Sequence, residues 1–191
     1  VMKVGAIAVA TMPLLRAKEL KAIIDIGRVT HALCDAALAD ELRLASSSLD
    51  LRLFSTGGDG SLEAAMQRHD EPFTAVDTAA DDTCLLAFTS GTTGVPKATM
   101  HFHRDVIASC RCWPPHVLRP EADDVFIGSP PLAFTFGLGG LLLFPMSVGA
   151  STVLLEKATP THLLDGIRDF GATVLFTAPT SYRALAAQGD A

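Results

Sequence analysis

With 191 residues, 49% of them apolar and 19% charged, the chain can bury the core of one large domain or two small ones, which excludes a disordered segment. A net charge of −6 argues against a nucleic-acid surface and makes any polyphosphate site a local positive exception. No apolar run approaches the ~20 residues of a membrane helix, and the four cysteines lack the two-residue gap of a zinc knuckle, which points to a reducing compartment, the cytoplasm.

In chain order, Val1-Met2-Lys3-Val4-Gly5 has no initiator Met and no secretory layout, and reads as a chain cut into. Residues 5–10 read as a short buried strand, ended by Pro13. Residues 16–26 carry Leu20, Ile23 and Ile24 at helical spacing, with Gly27 as C-cap. Strands are predicted at 29–34 and 51–54, with a helix over 36–44 between them. Residues 57–60 form a turn, and Ser61 caps a helix that runs to Met66. Residues 70–82 are polar and irregular. The apolar run 84–88 is a buried strand that leads into a Gly/Thr loop and then a helix. Residues 103–112 are helical, and Trp113-Pro114-Pro115 stops that helix, since neither proline can continue it.

Residues 120–124 form an acidic link, with Asp123 and Asp124 solvated. Beyond it come a strand at 125–128, a helix at 141–146 closed by Gly149, and a strand at 151–155. A helix over 161–170 with Thr161 as N-cap, a strand at 173–176 and a helix over 180–187 follow. Strands alternating with helices predict an α/β fold of mostly parallel strands with crossover helices. No internal repeat is visible. The best boundary lies between Trp113 and Asp124, so 1–120 form a first α/β subdomain and 121–191 begin a second. Cys34 and Cys84, in strand-like runs, are small buried hydrophobes. Cys110 and Cys112, near a helix end, are assigned neither a metal nor a disulfide.

The stretch that organises the chain is Thr89-Ser90-Gly91-Thr92-Thr93-Gly94-Val95-Pro96-Lys97. Two glycines let the backbone turn tightly and come close to a ligand. Hydroxyls of Ser90, Thr92 and Thr93, together with bare N–H groups, make a cradle for phosphate oxygens. Lys97 adds a mobile point charge. Composition alone is equally compatible with a surface turn. The spacing is not that of a Walker loop, which needs four residues between its glycines and Lys directly after the second.

The string Thr-Ser-Gly-Thr-Thr-Gly-x-Pro-Lys resembles the phosphate-binding signature of the adenylate-forming superfamily. That group includes acyl- and aryl-CoA ligases, luciferases and peptide-synthetase adenylation domains. Met100-His101-Phe102-His103-Arg104-Asp105 is similar to the His-x-His-Arg stretch that opens the next helix in that family. The resemblance covers nearly the whole chain and implies stacked, mostly parallel sheets with flanking helices, part of the large N-terminal domain. It implies that Thr89, Ser90, Gly91, Thr92, Thr93, Gly94 and Lys97 hold the phosphates of ATP, with Thr92 and Lys97 acting on the reaction. His101 and His103, two apart, would point to different sides of a helix and make a poor pair of metal ligands. No residue is assigned to a metal.

Pro131-Leu132-Ala133-Phe134-Thr135-Phe136-Gly137 is similar to the family motif Pro-Leu-x-His-x-x-Gly, with Phe134 in the place of His. Phe176-Thr177-Ala178-Pro179-Thr180-Ser181-Tyr182-Arg183 resembles a second pocket-lining segment. Phe134, Gly137 and Tyr182 are therefore expected to border a pocket for an apolar or aromatic acid, as in ligases of the benzoate and 2-aminobenzoate type. A core Phe and a strand cap are the plainer readings of the same residues.

The resemblance implies a reaction in two halves. A carboxylate attacks the α-phosphate of ATP·Mg²⁺ to give acyl-AMP and pyrophosphate, and the CoA thiol then displaces AMP. The sequence has no Tyr-Gly-x-Thr-Glu string, no later ribose-binding Asp and no domain with the adenylation Lys. The 191 residues alone are expected to lack essential catalytic groups. Missing C-terminal segments or a homo-oligomer are the partners expected, besides a small acid. Two alternatives stand beside this: a non-catalytic nucleotide- or anion-binding module, and part of a peptide-synthetase adenylation domain. Phe134 and His101-Phe102-His103 favour the aryl-CoA ligases.

Overall fold

The computed structural model describes residues 1–54, 58, 61–69, 71–89 and 96–189. Its contacts divide the chain into Val1–His101 and Phe102–Ala191, a cut ahead of the acidic link.

The first unit runs β1 (Ala8–Val9), α1 (Ala17–Gly27), β2 (His31–Asp35), α2 (Ala39–Ala45), β3 (Asp50–Phe54), α3 (Leu62–Gln67), β4 (Thr83–Thr89) and β5 (Lys97–Phe102). β2 and β3 pair in parallel from His31↔Asp50 to Asp35↔Phe54. β1 pairs in parallel with the start of β4 at Ala8↔Leu85, and β5 lies on the other side of β4. The crossover between β2 and β3 is α2, as strand–helix alternation requires. Leu20 and Ile24 of α1 are buried against Ala45 of α2, one helical face meeting the next. Ser61 caps α3, its hydroxyl accepting from the Ala64 N–H at 3.1 Å. Cys34 and Cys84 are both buried, as expected of small hydrophobes in strands.

Two features of this unit correct the sequence reading. Gly27 is the last helical residue of α1, and the left-handed cap falls on Arg28 at φ 49°. The loop after β4 leads into a strand, β5, and only then into a helix. His101 therefore sits on a strand and His103 on the helix after it, so a helical relation between them does not arise. The physical cause is β4: its central place in the sheet gives residues 97–102 a hydrogen-bonding edge that local sequence does not reveal. The turn expected at 57–60 falls largely outside the described residues.

The second unit runs α4 (His103–Cys112), a wide π-type turn (Pro114–Leu118), β6 (Val125–Gly128), α5 (Thr135–Leu138), a second π-type turn (Gly139–Leu143) and α6 (Phe144–Val148). It continues with β7 (Ser151–Val153), α7 (Pro160–Phe170), β8 (Val174–Phe176) and α8 (Pro179–Gly189). β6 is the central strand, parallel to β7 at Phe126↔Thr152 and to β8 at Phe126↔Val174. Ile127 of β6 and Leu163 of α7 are fully buried and pack with Leu185 of α8. A Cβ at Gly166 would come within 2.6 Å of Ile127 Cδ1, so the glycine is what lets α7 lie this close to the sheet.

α4 ends at Cys112 as predicted, but the prolines do not end helical geometry: Pro114 takes the first position of the next turn, where its missing N–H costs nothing. The N-cap of α7 is Thr159, whose Oγ1 accepts from the His162 N–H at 3.3 Å, and Pro160 follows at N1. The expected cap at Thr161 lies inside the helix. Asp124 is no free solvated linker. Its carboxylate accepts from the Glu121 N–H at 2.8 Å and from the Thr173 hydroxyl at 2.7 Å, while its carbonyl accepts from the Ser151 N–H at 3.0 Å. One residue thus ties together the starts of β6, β7 and β8. Among the described residues no helix is long and apolar enough to cross a membrane.

Candidate functional site

The loop from Thr89 to Lys97 spans two hydrogen-bonded neighbours. Thr89 is the last residue of β4 and Lys97 the first of β5. Ser90, Gly91, Thr92, Thr93 and Gly94 lie outside the described residues. The frame around them is fixed by side-chain bonds between the two strands. The Thr99 hydroxyl donates to the Ala87 carbonyl at 3.2 Å and lies 2.9 Å from His101 Nε2. The Cys84 thiol donates to the His101 carbonyl at 3.5 Å. Residue 84 thus meets 101 and residue 87 meets 99, so β4 and β5 run in opposite directions. Thr89 and Lys97 thus stand at the same end of this strand pair.

Both are exposed, and among the described residues Lys97 makes no ion pair. The helix after β5 begins firmly: Asp105 Oδ2 accepts from the Phe102 N–H at 2.9 Å. Arg104 lies over the Phe102 ring at 5.4 Å.

The second unit holds a cleft of about 330 Å³ beside β8. Its walls are Trp113, Leu118, Phe136, residues 173–177 and Tyr182. Phe176, the last residue of β8, is the centre of an aromatic cluster. Phe126 stacks on it at 6.2 Å, Phe136 meets it edge-on at 5.9 Å and Trp113 edge-on at 6.4 Å, and Phe144 lies tilted at 6.2 Å. Such offset and edge arrangements stabilise ring clusters beyond area burial alone. The Tyr182 hydroxyl donates to the Leu175 carbonyl at 2.8 Å, which fixes α8 against the strand. At the carboxyl ends of β6 and β8 the hydroxyls of Ser129 and Thr177 lie 2.6 Å apart, with Thr177 buried.

Of the three residues expected at an acid pocket, Tyr182 lines this cleft. Phe134 caps the start of α5, 47% exposed, and does not line it. Gly137 is buried in α5, and a Cβ there would lie 2.1 Å from the Pro131 carbonyl oxygen. Its bareness admits a backbone carbonyl, not a ring. Phe136, Phe176 and Trp113 were not singled out from sequence. Phe136 precedes Gly137 and Phe176 ends a predicted strand, which is the signal the sequence offers for them. Nothing local marks Trp113.

The Cys34 thiol does not enter either site. Burial pushes the Cys34 thiol up from its ordinary pKa, with Asp35 adding to the effect and Arg43 opposing it, so it stays protonated and unreactive. Among the described residues no three His, Cys, Asp or Glu side chains group so as to hold a metal ion.

A family model described as AMP-binding enzyme matches residues 1–191. A benzoate–CoA ligase of Thauera aromatica is 35% identical over 134 residues, 70% of this chain and 25% of that protein. An anthranilate–CoA ligase of Pseudomonas aeruginosa is 32% identical over 97% of this chain and 37% of its own length. The crystal structure of the anthranilate CoA ligase AuaEII in complex with anthranoyl-AMP superposes with a TM-score of 0.85 and 32% identity, over 94% of this chain and 36% of that one. The chain therefore spans between a quarter and somewhat over a third of these two ligases.

Proposed function

Since this chain belongs to the AMP-binding enzyme family, we propose that it is part of a cytoplasmic ATP-dependent aryl-CoA ligase, whose loop 89–97 holds polyphosphate and whose aromatic cleft holds the acid. Residues 1–120 would form the first α/β subdomain with that loop, and 121–191 the start of a second with the acid site. The observation that carries the reading is the cleft. Its walls of Trp113, Phe136, Phe176 and Tyr182 present flat apolar surface, and its volume of about 330 Å³ sits at the small end of ligand sites. A compact planar acid fits such a space. The matched relatives named for benzoate and anthranilate, one of them holding anthranoyl-AMP, support the same substrate class.

In this reading Thr89, Ser90, Gly91, Thr92, Thr93, Gly94 and Lys97 bind the β- and γ-phosphates of ATP. The acid's carboxylate attacks the α-phosphate, and the leaving pyrophosphate gathers charge that Lys97 and the Thr92 hydroxyl offset. CoA is the second substrate, its thiol displacing AMP from the acyl-adenylate. The rings hold the acid's plane and exclude water from it. Phe134 and Gly137, which the resemblance implies at the acid site, do not line the cleft. Magnesium would arrive with ATP. The described residues group no ligands for it.

The test is acid-dependent pyrophosphate release by the intact ligase with benzoate, 2-aminobenzoate and a long-chain acid. The aryl acids are expected to be preferred; a clear preference for the long chain defeats the reading. The 191-residue chain alone is expected to bind phosphate without turning over, and release comparable to the intact ligase would show catalytic groups within it.

A further inference from the structure

The ring of Phe176 is held back by the absence of a side chain opposite it. Gly140, in the π-type turn Gly139–Leu143, is buried, and a Cβ there would lie 2.5 Å from Cδ1 and 2.6 Å from Cγ of Phe176. Cγ is the root of the ring, so rotation of the ring about its own axis leaves that overlap in place. A methyl group at 140 is admitted only if the whole ring swings about χ1 or the turn shifts. Fully buried Phe126 stacks on the ring at an interplanar angle of 13° and Phe144 packs against it, while Phe136 and Trp113, themselves walls of the cleft, meet it edge-on at 5.9 and 6.4 Å. The cleft is open space, and Phe176 already forms part of its wall.

We propose that Gly140 is a specificity-determining positioning residue for the acid: by lacking a side chain it lets Phe176 stand back, and so sets how large a ring the cleft accepts. This rests on the reading of the cleft as the acid site. Gly140 is not among the cleft-lining residues and acts through Phe176. Residues 140 and 176 then work as a pair in which bulk at one is exchanged against bulk at the other. Gly140→Ala drives the Phe176 ring into the cleft. Phe176→Leu removes most of the ring that needs the glycine.

The experiment measures pyrophosphate release by the intact ligase in four forms: wild type, Gly140→Ala, Phe176→Leu and the double variant. Each is assayed with benzoate and with the bulkiest ring-substituted benzoate that the wild type accepts. Gly140→Ala should lower kcat/KM for the bulky acid by roughly 10- to 100-fold relative to benzoate, the range that small changes in an apolar pocket command. The loss should appear in KM for the acid and not in KM for ATP. The double variant should return the ratio to that of Phe176→Leu. An equal loss on both acids, or a loss that persists in the double variant, overturns the proposal. If Gly140→Ala does not fold, Phe176→Leu alone decides: its ratio should shift toward the bulky acid, and an unchanged ratio overturns the proposal. Wild type that accepts only non-aromatic acids would sink the aryl reading instead, and the pair would then be judged on short and long forms of the accepted acid.

Discussion

The two candidate sites are made in opposite ways. The loop at 89–97 is one unbroken string between neighbouring strands, and its charged residue, Lys97, stands exposed. The cleft has no such string. Trp113 follows α4, Phe136 sits in α5, Phe176 ends β8 and Tyr182 lies on α8, so its walls meet only once β6 and β8 have paired. A site of the first kind depends on residue identity and little on distant packing. A site of the second kind depends on packing, and each wall residue is also a structural residue. Substitutions should therefore separate binding from stability at the loop and couple them at the cleft.

The largest expected effect tests that coupling. Phe126 is fully buried and stacks under Phe176. Phe126→Ala should destabilise the protein by about 3–5 kcal/mol and spoil aryl-acid selectivity with it. The measurement is the urea midpoint together with acid selectivity. A small stability change with selectivity lost would uncouple the two and break the contrast.

Lys97→Ala should do the reverse. One charge-assisted contact to phosphate is worth about 1.5–3 kcal/mol, roughly 10- to 150-fold in affinity. Melting should not move, because Lys97 is exposed and makes no ion pair among the described residues. Calorimetric titration of pyrophosphate into both forms decides the matter, and equal affinities would remove Lys97 from the phosphate site.

This contrast also explains what could be read from sequence. The loop motif was legible because its chemistry lies in consecutive residues. The family and the α/β class followed from it and from strand–helix alternation, and the parallel pairs β1–β4, β2–β3, β6–β7 and β6–β8 agree. β5 was not legible, because strand propensity at 97–102 is realised only against the edge of β4. The cleft was half legible. Tyr182 could be named from its segment, but Phe176 becomes a wall residue through the register of β8 against β6, and Phe136 through its edge-on contact with Phe176. The role of Asp124 was hidden for the same reason: its partner Thr173 lies 49 residues away in the chain.

A smaller effect is expected at Tyr182. Its hydroxyl donates to the Leu175 carbonyl at 2.8 Å on an exposed edge. Tyr182→Phe keeps the ring and loses the bond, which should cost about 0.5–1.5 kcal/mol of stability. The ring still lines the cleft, so KM for the aryl acid should rise only slightly. A large rise in KM with no loss of stability would mean that the hydroxyl contacts the acid and not the strand.

The smallest expected effect is at Asp124, and it shrinks as the pH falls. Hydrogen bonds from the Glu121 N–H and then the Thr173 hydroxyl hold its carboxyl below the ordinary value of 3.8. A carboxyl whose pKa is depressed by folding contributes stability above the unfolded-state value, and that contribution is lost as pH falls through the folded one. The window therefore opens near 3.8 and extends downward. Solvent reaches the group, so the effect is modest, yet its partners sit at the starts of three strands. Asp124→Asn removes the titration and keeps an oxygen that can accept from Thr173. Other carboxyls titrate over the same range, so the difference between the two forms is the quantity to read. Urea unfolding of both at about pH 7 and about pH 3 should show wild type ahead at the higher value and the gap narrowing at the lower. A gap that stays constant would mean that Asp124 holds β6, β7 and β8 by hydrogen-bond geometry alone, with no contribution from its charge.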